Sequence, residues 1–136
     1  MRKTFLTVII CCFAAVLHAQ TSNSVVKWGI FASGTCDFET FETGEIKQNF
    51  IDVKQEDNNF YWGKDNVYTL YNKKEKHSGF MSFTTYDFID KYKQRGTLIY
   101  QHNRNADWST KHMFYINYEG NKQGVVYCSR EPEVQK

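Results

Sequence analysis

Two histidines and one aspartate are the residues whose types and spacing could support metal chemistry. His102 ends one predicted strand, His112 begins the next, and Asp107 lies in the loop between them. Across the mouth of a β-hairpin, two imidazoles and a carboxylate could bind zinc and serve a small hydrolase. The spacings H-x-H and H-E-x-x-H do not occur in the sequence, and polar residues at a hairpin mouth are usually solvated. The sequence therefore predicts no cofactor, and the hydrolase is the alternative hypothesis rather than the leading one.

Signatures of other enzyme classes are missing from the sequence as well. It contains no G-x-S-x-G nucleophile elbow, no phosphate-binding P-loop and no dinucleotide-binding G-x-G-x-x-G. Asp37 and Glu39 would share one strand face about 7 Å apart, a separation at which two carboxylates can act as acid and base. On an exposed strand such a pair more often serves solubility. We therefore lean towards a protein that is not an enzyme.

Aromatic residues are the main candidates for a binding surface. The chain contains 11 Phe, 9 Tyr and 3 Trp, more than a small core needs. Trp108 stands alone in the polar loop 103–110, and Tyr100, Tyr115 and Tyr118 lie on the neighbouring strands. Tyr and Trp supply large contact areas at a low entropic cost. We predict that these four residues contribute to a binding surface; packing of both faces of a curled sheet is the competing explanation.

The elements that must position these side chains are antiparallel strands. In 97–102 and 112–118, β-branched and aromatic residues alternate with a period of two, and 125–128 follows as a third strand. Turn signals recur about every eight to twelve residues, as in sandwiches and up-and-down barrels. Within 45–54 the apolar residues change sides after Phe50, which predicts a bulge or a bend. We predict a mainly β, single-domain antiparallel meander that closes into a small barrel or sandwich.

One segment, 85–95, has the features of a short helix. Thr84 is a suitable N-cap with Asp87 three residues later, and Gly96 follows where helices often end on a left-handed residue. The apolar residues of the segment fall on one helical face: Phe88, Ile89 and Tyr92. We therefore predict one short helix at 85–95, packed across the sheet or at an end of the barrel.

The first 19 residues have the composition of a cleaved signal peptide. A basic start precedes the apolar run 5–17, and Ala19 offers a small residue before the cut. The run is short for a membrane span, so we expect no transmembrane segment in the mature chain. Residues 20–136 would form one β-rich domain with a disordered polar tail at 129–136. The sequence thus predicts a secreted or periplasmic protein.

The charge balance argues against nucleic acid as a partner. The full chain has 17 Lys and Arg against 15 Asp and Glu. Removing Arg2 and Lys3 with the leader leaves 15 basic and 15 acidic residues. Because non-specific binding to nucleic acid needs a net basic surface, we expect no nucleic-acid partner.

Cys36 and Cys128 are the two cysteines of the mature chain. An even pair in an oxidising compartment is expected to form a disulfide. Closing a loop this long would contribute about 4–5 kcal/mol in the chain-entropy description. A catalytic thiol would instead need a reducing setting and a nearby base. We predict a Cys36–Cys128 disulfide that ties the first strands to the last.

The meander, the early Trp28 and the two widely spaced cysteines resemble small calycin-type barrels of the lipocalin architecture. Small periplasmic β-barrel inhibitors of lysozyme are similar in linking their chain ends by a disulfide. The local sequence Lys27-Trp28-Gly29 departs from the G-x-W motif usual near the first lipocalin strand. The resemblance therefore implies a fold and assigns no site residues.

Together these observations predict an exported small β-domain with a non-enzymatic binding role. Its partner would be a protein bound through an aromatic patch or a small apolar ligand bound in a barrel mouth. The alternative is a small secreted or periplasmic hydrolase that uses His102 and His112, with or without zinc.

Overall fold

Consecutive antiparallel pairing builds the whole fold. The computed structural model describes residues 24–135, which form nine strands and, within that range, no helix. The strands are β1 (Val25–Asp37), β2 (Lys47–Glu56), β3 (Asn59–Trp62), β4 (Asn66–Ser78), β5 (Met81–Asp90), β6 (Arg95–Asn103), β7 (His112–Tyr118), β8 (Gln123–Ser129) and β9 (Glu133–Gln135). Each strand from β1 to β7 pairs with the next, and β8 pairs back onto β1, so eight strands close into a barrel. The prediction of a mainly β antiparallel meander is confirmed, with closure as a barrel.

An aromatic core fills the barrel. Phe88, Leu98 and Phe114 are fully buried, because alternate residues of their strands point inward. The Phe114 ring lies at the centre, with centroids 4.9, 5.8 and 5.5 Å from those of Trp28, Phe60 and Trp62. Burying each such side chain stabilises the fold by roughly 1.5–3 kcal/mol. Side chains therefore occupy the centre of the barrel.

The helix predicted at 85–95 is wrong, because the segment forms the end of β5, a turn and the start of β6. Phe88 is completely buried, since it points into the barrel from a strand that pairs on both sides, with β4 and with β6. Asp90 ends β5: its Oδ1 accepts hydrogen bonds from the backbone amides of Tyr92 and Gln94, both at 2.9 Å. Long-range strand pairing thus outweighs a local helical pattern that would bury only one face of the segment.

An irregularity in β1 brings two consecutive residues to the outer face of the barrel. The register of β1 with both neighbouring strands shifts between Ile30 and Ala32, so Phe31 and Ala32 both face outward. On β2, Asn49 and Phe50 stand unpaired at the same level. The bulge or bend predicted within 45–54 is therefore confirmed.

A second buried cluster lies on the outer face, between β1 and β8. This outer cluster consists of Ala32, Cys36, Val126 and Cys128. Three side chains from the connection between β1 and β2 cover this cluster. Phe38 lies next to Gly124, Phe41 next to the ring of Tyr115, and Ile46 next to Gly34. The wall of the barrel is therefore packed on both sides at this point.

The predicted disulfide between Cys36 and Cys128 is not formed, and both thiols are free. Cys128 pairs with Ala32, whereas Cys36 pairs with Gly124. The two cysteines therefore lie four residues out of register on adjacent strands, about 13 Å apart. A disulfide spans Cα atoms no more than about 7 Å apart. Burial raises the pKa of both thiols, which keeps them protonated and unreactive.

Parts of the segment predicted as a disordered tail, 129–136, pair with β1 in the sheet: Ser129 and Glu133–Gln135. Ser129 completes β8, and β9 pairs with β1 over Val25–Lys27. The predicted signal peptide, 1–19, lies outside the described residues. Between residues 24 and 135, the structure contains no helix with the length and apolar character needed to cross a membrane.

Candidate functional site

An aromatic groove on the outer face of the barrel is the candidate site. Trp108 is 66% exposed and Phe50 is 63% exposed, which is unusual for large apolar side chains. The ring centroids of Trp108 and Phe31 lie 5.1 Å apart. The groove has a volume of about 340 Å³. We define this aromatic groove by its main lining residues: Phe31, Ile46, Lys47, Phe50, Trp108 and Arg130.

Strand irregularities create the groove. Phe31 faces outward at the register shift of β1, and Phe50 projects from the unpaired part of β2. Bulges re-aim side chains in this way next to functional sites. The two aromatic walls of the groove therefore come from adjacent strands at a single irregular level of the barrel.

Hydrogen bonds within the loop between β6 and β7 hold Trp108 in place. Asp107 Oδ1 accepts hydrogen bonds from the hydroxyl and the amide of Ser109, at 2.7 and 3.1 Å. These hydrogen bonds hold the pKa of Asp107 below its usual value. The Asn103 amide donates to the carbonyl of Lys111 at 2.9 Å and closes the loop. Asp107, a candidate metal ligand only in the alternative hypothesis, thus shapes the loop that presents Trp108.

The charge beside the aromatic groove is positive. Among the described residues that line it, the charged ones are Lys47 and Arg130. The backbone amide of Arg130 donates to the carbonyl of Gly29 at 2.9 Å, which anchors the residue next to the register shift. A binding partner would therefore meet apolar rings flanked by cations, an arrangement that favours an acidic group near an apolar one.

The three histidines of the described chain lie on a single row across four strands. Direct strand pairing joins His77 to Ser82, Ser82 to His102, and His102 to His112. We call this set the histidine row. The rings of His102 and His112 stack with centroids 4.6 Å apart. Burial, followed by the nearby charge of His112, lowers the pKa of His102. The prediction that His102 and His112 approach each other thus agrees with the geometry.

Both ring nitrogens of His112 are already engaged. The Tyr100 hydroxyl lies 2.6 Å from Nδ1, and Glu131 Oε1 lies 3.1 Å from Nε2. A carboxylate can only accept, so Nε2–H donates to Glu131, and in the neutral ring Nδ1 accepts from Tyr100. The His112 and His102 rings stack on each other, and their nitrogens do not converge on a common point. Within residues 24–135, no group of three or more His, Cys, Asp or Glu side chains is arranged to hold a metal ion.

The three tyrosines predicted to bind do not lie with Trp108. Tyr100 contacts His112 inside the barrel rim. Tyr118 points inward and donates to Asp90 Oδ2 at 2.9 Å. Tyr115 lies on the outer face and donates to Gln101 at 3.1 Å. Each hydroxyl therefore has a partner within the protein, and Trp108 is the one predicted binding residue that lines the aromatic groove.

Sequence reasoning did not identify Phe31, Phe50 or Arg130 as site residues. The change of sides after Phe50 could have identified Phe50, because an apolar residue at a bulge can face outward where regular alternation would bury it. Phe31 gave no such signal, since the shift in β1 is visible only through its pairing with both neighbours.

No protein-family model, curated protein sequence or solved structure matches this chain.

Proposed function

We propose that this protein is an exported, non-enzymatic binding protein that captures a protein partner through the aromatic groove. The observation that carries the proposal is the exposure of Trp108 and Phe50 on the two sides of a concave, irregular part of the barrel wall. Exposed apolar patches of this kind mark interaction surfaces. Trp is also the residue type that most often dominates binding energy at protein interfaces.

A protein partner fits better than a small apolar ligand inside the barrel. Phe114 and the rings around it occupy the barrel centre, where such a ligand would have to bind. The aromatic groove, in contrast, is open and carries Lys47 and Arg130 beside its rings. A protein segment that places an apolar side chain next to a carboxylate would complement both features.

The histidine row offers little support for the alternative, a hydrolase. His112 uses both ring nitrogens for Tyr100 and Glu131. A zinc site built from His102 and His112 together would require His112 to give up one of these hydrogen bonds. Binding therefore remains the proposed role.

Quantitative pull-down from the secreted or envelope fraction of the exporting cell tests the proposal. Wild type is compared with Trp108→Ala, Phe50→Ala and the control Tyr92→Ala, whose side chain is 68% exposed in the turn between β5 and β6. Truncation of a hot-spot residue costs about 2 kcal/mol or more, which is roughly a 30-fold loss of affinity. We expect that loss for Trp108→Ala and Phe50→Ala and no loss for Tyr92→Ala.

Stability measurements on the same variants separate binding from folding. Exposed side chains contribute little to stability, so the free energy of unfolding should change by less than about 0.5 kcal/mol. Undiminished capture of the same partner by both groove variants would contradict the proposal. A large loss of stability in Trp108→Ala would make Trp108 a structural residue instead.

A further inference from the structure

A second groove lies on the outer face of β4 to β7, away from the strands that form the aromatic groove. Direct pairing places one outward-facing residue of each strand in a continuous row: Tyr71, Asp87, Thr97 and Asn117. Their chain neighbours Leu70, Phe88, Leu98 and Ile116 are buried in the core. The row lines a concave space of about 230 Å³ together with Arg95 and Glu119. We call this space the polar groove.

The polar groove contains hydrogen-bonding groups that the protein does not fully use. Asp87 Oδ2 accepts from Asn72 Nδ2 at 2.9 Å, which leaves capacity at the other carboxylate oxygen. Arg95 donates from Nη1 to the Tyr71 hydroxyl at 2.9 Å and has four further N–H groups. The groove therefore offers an acceptor at Asp87, donors at Arg95, and at Thr97 a hydroxyl that can donate and accept.

Asn117, at one end of the row, has one side-chain atom without a hydrogen-bond partner. Its Nδ2 donates to the carbonyl of Asn121 at 2.8 Å, and this bond fixes the orientation of the amide. Its Oδ1 is buried and meets no donor among the described residues. Because this oxygen has almost no accessible surface, it is not available to a ligand, and the groups open to the groove are those of Tyr71, Asp87, Arg95 and Thr97.

The lining of the polar groove selects against simple ions. Asp87 and Glu119 oppose Arg95, so neither an anion nor a cation finds a uniform environment. A hydroxyl group both donates and accepts, and it can therefore use a carboxylate and a guanidinium side by side. Tyr71 is 37% exposed and offers a ring face to apolar C–H groups. Sites for drug-sized ligands are typically about 300–1,000 Å³, so this groove suits a smaller ligand.

We propose that the polar groove binds one neutral sugar ring, either a free monosaccharide or the terminal residue of a glycan. In this arrangement Asp87 and Arg95 engage neighbouring hydroxyls, Thr97 engages a third, and Tyr71 contacts the C–H face of the ring. The site is separate from the aromatic groove and goes beyond the capture of a protein partner.

Saturation-transfer difference NMR with the full chain tests this site. The probes are glucose, galactose, mannose and N-acetylglucosamine as free sugars, and lactose as a glycan that ends in galactose. We expect saturation transfer to at least one probe, with an affinity about tenfold or more weaker in Asp87→Asn and reduced in Thr97→Val, because charge-assisted hydrogen bonds are the stronger ones. Preference for a free hexose would identify the free sugar as the ligand, and preference for lactose over galactose would identify the glycan terminus.

Two controls keep the outcome interpretable. Asp52→Asn changes a carboxylate on β2, outside the polar groove, and Trp108→Ala removes the main ring of the aromatic groove; both should bind the sugar as wild type does. Circular dichroism and thermal unfolding establish that Asp87→Asn and Thr97→Val are folded. Absence of transfer to all five probes, or equal binding by both groove variants and wild type, would overturn the sugar site. Either result would leave the partner-binding role of Trp108 intact.

Discussion

Cys36 and Cys128 lie on adjacent strands with their side chains on the same outer face, yet four positions out of register. Ala32, rather than Cys36, is the residue that pairs directly with Cys128. The separation therefore comes from register, because both cysteines belong to the same pair of strands and the same buried cluster.

This offset predicts the redox state of the protein. Intact mass of a chain that begins at residue 20, measured under non-reducing conditions after alkylation in denaturant, should show that its two thiols, Cys36 and Cys128, are free. Moving the first cysteine by four residues, in Ala32→Cys with Cys36→Ala, places two thiols directly opposite each other, where Cα atoms are about 4.5–5.5 Å apart. We expect this variant to form a disulfide under mild oxidation. A disulfide in wild type, or none in the shifted variant, would show that the register is different.

Asp90 should be essential for the turn between β5 and β6. It is 9% exposed and accepts from two backbone amides and from the Tyr118 hydroxyl. In Asp90→Ala these donors lose their partner, and we expect the free energy of unfolding to fall by about 1–3 kcal/mol. Asp90→Asn keeps an oxygen for the amides and should cost less. Urea denaturation measures both, with the exposed turn residue Asp65→Ala as a control; equal stability of Asp90→Ala and wild type would contradict the role of the turn.

A side chain at position 96 should destabilise the protein, because the neighbouring atoms leave no space for a Cβ. A Cβ at this position would collide with the carbonyl oxygen of Asn117 and with the ring of Phe88, which is fully buried. We expect Gly96→Ala to destabilise the protein by about 1–3 kcal/mol, because a packed interior accommodates extra volume only by shifting. Gly29→Ala is the matched strand control, since its Cβ would meet only Arg130 Cδ at 3.8 Å. Thermal unfolding of the two variants should differ clearly, and similar melting temperatures would refute the steric argument.

Stability should fall in acid because of His102. Burial is the largest cause of its lowered pKa, and the charges of His112, Arg104 and Lys111 act in the same direction, while Glu131 opposes them. Below the ordinary value of 6.5, the unfolded state takes up the proton before the folded state does, so the free energy of unfolding decreases as the pH falls. We expect the urea midpoint to decrease from pH 7.5 to pH 5.

The variant His102→Gln isolates this contribution. Glutamine does not titrate, so the acid-induced decrease of the urea midpoint should be smaller than in wild type. Above pH 7.5 the protonation of His102 should no longer change the urea midpoint of wild type. An unchanged acid-induced decrease in the variant would assign the effect to other residues.

The features of this structure that can be predicted from the sequence are those that depend on local patterns of apolar and polar residues. The period of two in β7 predicts the strand correctly, and the structure buries the face that carries Phe114 and Ile116. The polar loop around Trp108 likewise predicts an exposed aromatic residue. Both inferences need only residues that are close in sequence.

The parts that do not follow depend on pairing between distant residues. The helical pattern at 85–95 is local, but the burial of Phe88 requires strands on both sides, which the pattern does not reveal. The separation of Cys36 from Cys128 depends on the register between β1 and β8, and the sequence contains no marker of register there. The polar groove arises in the same way, because its four residues come from four strands.

The shift at Phe31 divides β1 into two stretches of opposite parity. Even-numbered residues point into the barrel at Trp28 and Ile30, whereas from Ala32 to Cys36 even-numbered residues point outward. Deletion of Phe31 would place Ala32 directly after Ile30 and would restore strict alternation, with Ala32 and Cys36 still on the outer face. The extra residue at position 31 thus adds an outward aromatic ring to the barrel wall without changing which other side chains of β1 face the core.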